Sequence, residues 1–190
     1  LFLSRPLLLA ATILAGVAIS STSAFISLYA DTIGHITYAS YFYAVVALGM
    51  VAIRPLAGKW FDQKGPGFVL FPSFCLYAVG FLILGTFPSL FGLLLAALII
   101  GVGSASIFPG LQTVMLTYAA PHQKGKAIST FFLAYDIGFG LGALLLSSLA
   151  AGIGYSKMFL FCSIIVLTSG FIYFVFNRQN QPPHDQKLAS

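Results

Sequence analysis

From Gly65 to Gln123 the chain carries no charged residue, with His122 taken as neutral. A bilayer core of ~30 Å is crossed by about 20 helical residues, so this stretch is too long for one crossing and suits two. It divides at Thr86-Phe87-Pro88-Ser89, a turn with a proline placed to start the next helix. The same reading applied to the rest of the chain predicts six spans, at residues 7–29, 38–56, 68–87, 89–118, 127–151 and 157–176. The expected fold is all-α, a polytopic transmembrane six-helix bundle. Residues 177–190, with Pro182-Pro183 and charges, are expected to form a disordered cytoplasmic tail.

Composition excludes the soluble alternative. Hydrophobic residues make up 59% of the chain and charged ones 7%, against roughly 25% charged in a soluble domain. A soluble fold of this length could not cover its surface with so few charges. A secretory signal at the start, with Ser21-Thr22-Ser23-Ala24 as cleavage site, is the weaker reading, because the apolar stretch continues through Ala30. The chain has no initiator Met and is expected to begin partway through a longer protein.

Charge sets the orientation. Arg5, Arg54, Lys59, Lys64, Lys124, Lys126, Arg178 and Lys187 fall on one side of a six-span layout, and only Lys157 on the other. Excess positive charge marks the cytoplasmic side. Both ends of this segment are therefore expected inside, in the cell membrane. The rule also accounts for the net charge of +5 without nucleic acid as a partner. Cys75 and Cys162 both fall inside apolar spans, with no disulfide framework and no metal-ligand spacing.

Polar and small residues recur at helical spacing in three spans. In the first they are Thr12, Gly16, Ser20, Ser23 and Ser27; in the fourth, Gly101, Ser104, Phe108 and Gln112. In the fifth they are Ser129, Phe132, Asp136, Gly140, Ala143 and Ser147. One such stripe fits close helix packing, whereas three suggest a shared aqueous cavity. The first and fourth spans also open two consecutive triplets, as an inverted three-plus-three repeat requires.

Asp136 is the most informative residue. It lies ten positions beyond Lys126, about 15 Å along a helix, near the centre of the membrane. An aspartate there costs roughly 2.5–3.5 kcal/mol on insertion scales and usually faces a cavity or a partner. It is either a proton carrier or substrate contact, or a hydrogen-bonded lock between helices. No basic residue is expected at its depth. Gln112, with Ser20 and Ser23, offers uncharged hydrogen bonds for a substrate, or equally for a neighbouring helix. Pro109-Gly110 predicts a kink, and Gly138 and Gly142 read mainly as packing. No nucleophile–base pair, metal cluster or phosphate loop is present. Catalytic residues, a metal and a cofactor are not expected, and the chain does not read as an enzyme.

The stretch after the second span runs Arg54-Pro55-Leu56-Ala57-Gly58-Lys59-Trp60-Phe61-Asp62-Gln63-Lys64-Gly65. Gly58, Asp62 and Gly65 give the pattern G-x-x-x-D-x-x-G, which resembles the signature loop of the major facilitator superfamily. Lys124-Gly125-Lys126-Ala127 resembles that family's connection between the fourth and fifth spans. The resemblance implies one half of a twelve-helix fold. Arg54-Pro55 and Asp136-Ile137-Gly138 resemble the C-terminal half of efflux-type, drug/proton antiporter-like members. The implied partners are a missing N-terminal six-helix half, the lipid bilayer, a small-molecule substrate and protons. Asp62 is then a gating aspartate set against a helix N-terminus, with Arg54 and Lys64 as ion partners. The chain departs from the family pattern at Gln63, Pro66 and Gly67, where basic residues are usual. The implied function is proton-coupled efflux by alternating access. The alternatives are a sugar or metabolite permease of the same superfamily, or a truncated or accessory membrane protein without transport of its own.

Overall fold

The computed structural model describes residues 5–179. Six long helices carry almost all of them: α1 Pro6–Thr32, α2 Ala39–Lys64, α3 Pro66–Thr86, α4 Leu90–Thr117, α5 Lys124–Ile153 and α6 Tyr155–Gln179. Each is long and apolar enough to cross a membrane. The ends follow local chemistry. Proline opens α1 and α3. The Ser89 hydroxyl accepts the Gly92 N–H at 3.1 Å and caps α4. Gly65 and Gly154, at φ 82° and 84°, take the left-handed turns that end α2 and α5.

Two expected boundaries move. The second helix does not stop at Leu56 but runs on to Lys64, with Pro55 inside it. Proline removes one backbone bond, to Val51, and the residues from Leu56 to Lys64 are mostly good helix formers. The stop falls on Gly65. The signature segment is therefore the last turns of α2 and not a loop. Similarly, Asn177, Arg178 and Gln179 continue α6, since nothing in them breaks a helix. The rest of the expected tail, residues 180–190, lies outside the described residues.

Neighbouring helices follow the order α5, α1, α6, α3, α4, α2. Exchanging α1, α2 and α3 for α4, α5 and α6 turns every strong contact of this series into another member of it. Because successive helices alternate in direction, the two triplets are inverted copies. Glycine makes the closest contacts. A Cβ on Gly138 would stand 2.1 Å from the Ile13 carbonyl oxygen, and one on Gly16 would stand 2.5 Å from that of Tyr135. A Cβ on Gly101 would meet the Val46 carbonyl oxygen at 2.4 Å. Such approach is how membrane helices gain packing where lipid provides no hydrophobic drive.

A few side-chain bonds join helices. Ser169 Oγ of α6 donates to the Ala11 carbonyl of α1 at 2.8 Å, and Tyr43 Oη of α2 donates to that of Thr22 at 3.1 Å. Tyr29 Oη donates to the Leu84 carbonyl. At one end of the bundle the Arg5 guanidinium lies 4.0 Å from the Tyr118 ring centroid and 5.8 Å from that of Phe176, which ties α1 to α4 and α6. Burial pushes the Tyr118 phenol pKa up, and the Arg5 charge offsets part of this.

Candidate functional site: the cleft between α2 and α5

The neighbour series leaves α2 and α5 at its two ends, with a cleft between them floored by α1 and α4. Across their apolar stretches α2 and α5 bury only 17% and 22% of residues, against 44–61% for the other four helices. A cavity of about 300 Å³ opens there, with Thr22 and Ser23 of α1, Phe42, Tyr43 and Met50 of α2, and Tyr77 of α3 in its wall. Ser104 and Phe108 of α4 and Tyr135 of α5 complete the polar and aromatic lining. The Phe108 and Tyr135 rings meet edge to face at 4.9 Å. This wall carries hydroxyls and rings but no ionised group, so it suits an uncharged, partly apolar surface.

The three polar stripes do not converge on this cavity. On α1, Thr12, Gly16 and Ser20 are buried in the bundle, and Gly16 lies against α5. Ser20 Oγ donates to the Val17 carbonyl at 2.7 Å and packs on Gly142. Ser20 is therefore part of the α1–α5 seam and not of the cavity wall. Ser23 does line the cavity, with its hydroxyl bonded back to the Ile19 carbonyl at 3.2 Å. On α4, Ser104 and Phe108 reach the cavity, whereas Gly101 packs on α2 and Gln112 stands half-buried outside the lining. Reading stripes by spacing could not say which neighbour each face meets.

The α5 stripe turns away from α1. Ala134, Gly138 and Gly142 are buried, while Ser129, Phe132, Asp136, Gly140 and Ser147 are exposed on the far side. Asp136 therefore lies on a bare face of the bundle beside Tyr135, not within the six-helix core. Twelve residues into α5, it sits about 18 Å from that helix's start.

A second cavity, of about 460 Å³, lies between the last turns of α2 and the stretch of α4 around Pro109. Arg54, Gly58, Phe61 and Asp62 line it from α2, and Ala105, Ser106, Gly110 and Thr113 from α4. Pro109 has no N–H, so the Ala105 carbonyl in this wall lacks its helical donor. Here the helical course of the signature segment corrects the expected ion pairs. Arg54 and Asp62 are eight residues apart, about 12 Å along the axis. Lys64 is two residues beyond Asp62, on another side of the helix, with its Nζ 4.3 Å from the Phe68 ring centroid. Asp62 itself stands in the last turns of α2 and lines this cavity. Gly58 and Gly65 have open space around them.

Arg54 also overturns the expectation of no basic residue at the depth of Asp136. It lies ten residues before the end of α2, about 15 Å in from the same side as Asp136. The expected span ends at Leu56, two residues past Arg54, whereas the helix runs on to Lys64. Among the described residues, no group of His, Cys, Asp or Glu is placed to hold a metal.

A family model of the Major Facilitator Superfamily matches residues 8–190, and the chain belongs to that family. It is accordingly a multi-pass membrane protein. It is 23% identical to an uncharacterized MFS-type transporter of Salmonella typhimurium, over 88% of this chain and 43% of the relative. It is 25% identical to the staphylopine export protein of Staphylococcus aureus, over 82% of this chain and 40% of the relative. A probable anion transporter of Arabidopsis thaliana is 32% identical over 57% of this chain and 26% of its own length. The chain thus spans about two fifths of the length of the first two relatives. Among solved structures, a POT family transporter superposes with a TM-score of 0.79 at 16% identity, over 92% of this chain and 37% of that one. That likeness shows the fold.

Proposed function

We propose that this chain is the C-terminal six-helix half of a secondary transporter, moving a small, partly apolar molecule outward by alternating access in exchange for protons. The observation that carries the reading is the bare face of α5. An ionisable residue at this depth is costly against lipid, and Asp136 is exposed there with Ser129, Gly140 and Ser147 on a face that also bares Leu133, Ile137 and Leu141. A second six-helix half set against α2 and α5 would cover that face and enclose a water-filled path to Asp136. The coverage of only 40–43% of two relatives supports such a missing half, and a relative named as an export protein supports the direction. Seven of the eight described Lys and Arg residues lie toward one side, with Lys157 alone toward the other. This supports a cell-membrane protein with both ends of the segment cytoplasmic.

In this mechanism Asp136 takes a proton when the cleft opens to one side and releases it when the cleft opens to the other. The aromatic and hydroxyl wall holds the substrate meanwhile. The complete transporter in proteoliposomes, with an imposed pH gradient, tests the role. Asp136→Asn is expected to abolish gradient-driven transport and its pH dependence while substrate exchange persists. Unchanged gradient-driven transport would overturn proton coupling through Asp136.

Arg54 supports a second reading, in which the molecule carried is an anion, in keeping with the name of the plant relative. Arg54→Gln separates the two readings. Loss of binding selectively for anions favours this second one.

A further inference from the structure

The outer face formed by α3 and α6 is apolar along most of its length, with Val79 and Leu82 exposed on α3 and Ile164 and Leu167 on α6. Toward the Arg5 end its character changes. Phe68 and Phe71 of α3 remain about half exposed, at 48% and 47%, and Phe71 packs on Phe174 of α6 at 5.6 Å between centroids. Two cations sit on this aromatic shelf: Lys64 Nζ lies 4.3 Å from the Phe68 centroid, and Arg178 Cζ lies 4.8 Å from that of Phe174. Both belong to one juncture, because a Cβ on Gly67 would stand 2.6 Å from Asn177 Nδ2.

Among the described residues no acidic side chain pairs with these charges. The chain has four acidic residues. Asp31 lies at the opposite end of the bundle, Asp136 is on α5, and Asp185 lies outside the described residues. Asp62, the nearest in sequence, is two positions before Lys64 and turns to the cavity between α2 and α4. The arrangement is thus two cations held at the rim of a lipid-facing aromatic groove.

We propose that this juncture binds the headgroup of one anionic phospholipid, with its phosphate between Lys64 and Arg178 and its acyl chains along Phe68, Phe71 and Phe174. The cation–ring contacts hold both heads at the membrane surface, where a hydrated cation would otherwise leave the apolar face. Basic clusters between helices on the cytoplasmic side take acidic headgroups for the same electrostatic reason. The site stands apart from the transport cleft and does not depend on the function proposed for it.

The test uses the full-length protein that carries this chain, purified in neutral detergent, with thermal unfolding followed as lipid is added. Phosphatidylglycerol is expected to stabilise it at roughly 30-fold lower concentration than phosphatidylcholine. The double variant Lys64→Gln/Arg178→Gln should raise the phosphatidylglycerol requirement roughly 30-fold, equivalent to about 1 kcal/mol for each of two charges. Lys64→Arg/Arg178→Lys should keep the preference. Lys124→Gln/Lys126→Gln removes the same charge elsewhere on that side and should also keep it. The proposal falls if the first double variant binds phosphatidylglycerol like the parent, or if the Lys124/Lys126 control loses as much. It falls too if millimolar inorganic phosphate protects the parent as well as the lipid does, which would make this a soluble-anion site.

Discussion

Two faces of the bundle are bare, and they are bare in different ways. Along the middle of α3 and α6 the exposed side chains are mostly Phe, Leu, Val and Ile, which cost nothing against lipid, and the hydroxyl of the exposed Thr168 is bonded back to its own helix. Along α5 the exposed Leu133, Ile137 and Leu141 are interrupted by Ser129, Asp136, Gly140 and Ser147. Exposure alone would rate both faces as surface. Chemistry separates them, because one matches hydrocarbon and the other needs protein or water. In a membrane protein an exposed residue is thus a question about which solvent it meets, and the answer is read from the side chain.

The sharpest version of this comparison lies within α5 itself, between glycines two positions apart. A Cβ on Gly138 would enter the Ile13 backbone, whereas one on Gly140 would meet nothing within 4 Å. Gly138→Ala should destabilise the complete protein by about 3 kcal/mol or more, since backbone cannot yield as a side-chain tip can. Gly140→Ala should instead be neutral, or stabilising by up to about 1 kcal/mol through helix propensity. Thermal unfolding in detergent measures both. Equal effects would mean that the seam assigned to α1 and α5 is wrong.

Next in size is Asp136→Leu. If the bare face of α5 met lipid, removing the carboxylate would stabilise the protein by roughly 2.5–3.5 kcal/mol. With a second half enclosing water around it, the change in the complete protein should stay within about 1 kcal/mol while gradient-driven transport is lost. The two outcomes differ enough for chemical unfolding to separate them.

A labelling experiment then compares the faces directly. With Cys75 and Cys162 replaced, a cysteine at Ser129, Gly140 or Ser147 should react with a membrane-impermeant, water-soluble thiol reagent. A cysteine at Ile164 or Leu167 should react at least about tenfold more slowly, because thiolate does not form in hydrocarbon. Equal rates on both faces would remove the distinction drawn here.

How much of this was legible beforehand depends on which contacts a pattern can encode. Runs without charge predicted the six helices that the structure has, because length and charge are properties of one segment against a bilayer. The Gly58, Asp62 and Gly65 pattern pointed to the family for the same reason. What spacing could not supply was the partner of each face. Ser20 and Ser23 are three residues apart on one stripe, yet one lies against Gly142 and the other in the cavity wall. Arg54 lies deeper than expected because α2 runs past Leu56 to Lys64, and a proline's cost can be borne inside a long helix held by its neighbours. Tyr77 and Thr22 were missed as cavity residues, although a tyrosine in the middle of an otherwise apolar span was a signal that could have been followed.

The smallest contrast is carried by adjacent hydroxyls on α6. Ser169 Oγ donates across the helix boundary to the Ala11 carbonyl, whereas Thr168 Oγ1, on the exposed side, donates back to the Ile164 carbonyl at 2.8 Å. Only the first bond joins two helices. Ser169→Ala should therefore cost about 0.6 kcal/mol, the mean for hydrogen bonds between membrane helices. Thr168→Val removes a bond within a single helix and places a methyl where the outer face is already apolar, so it should be neutral or slightly stabilising. A pair of unfolding curves with the opposite order would place α1 against the Thr168 side of α6, and with it the outer face assigned to α3 and α6.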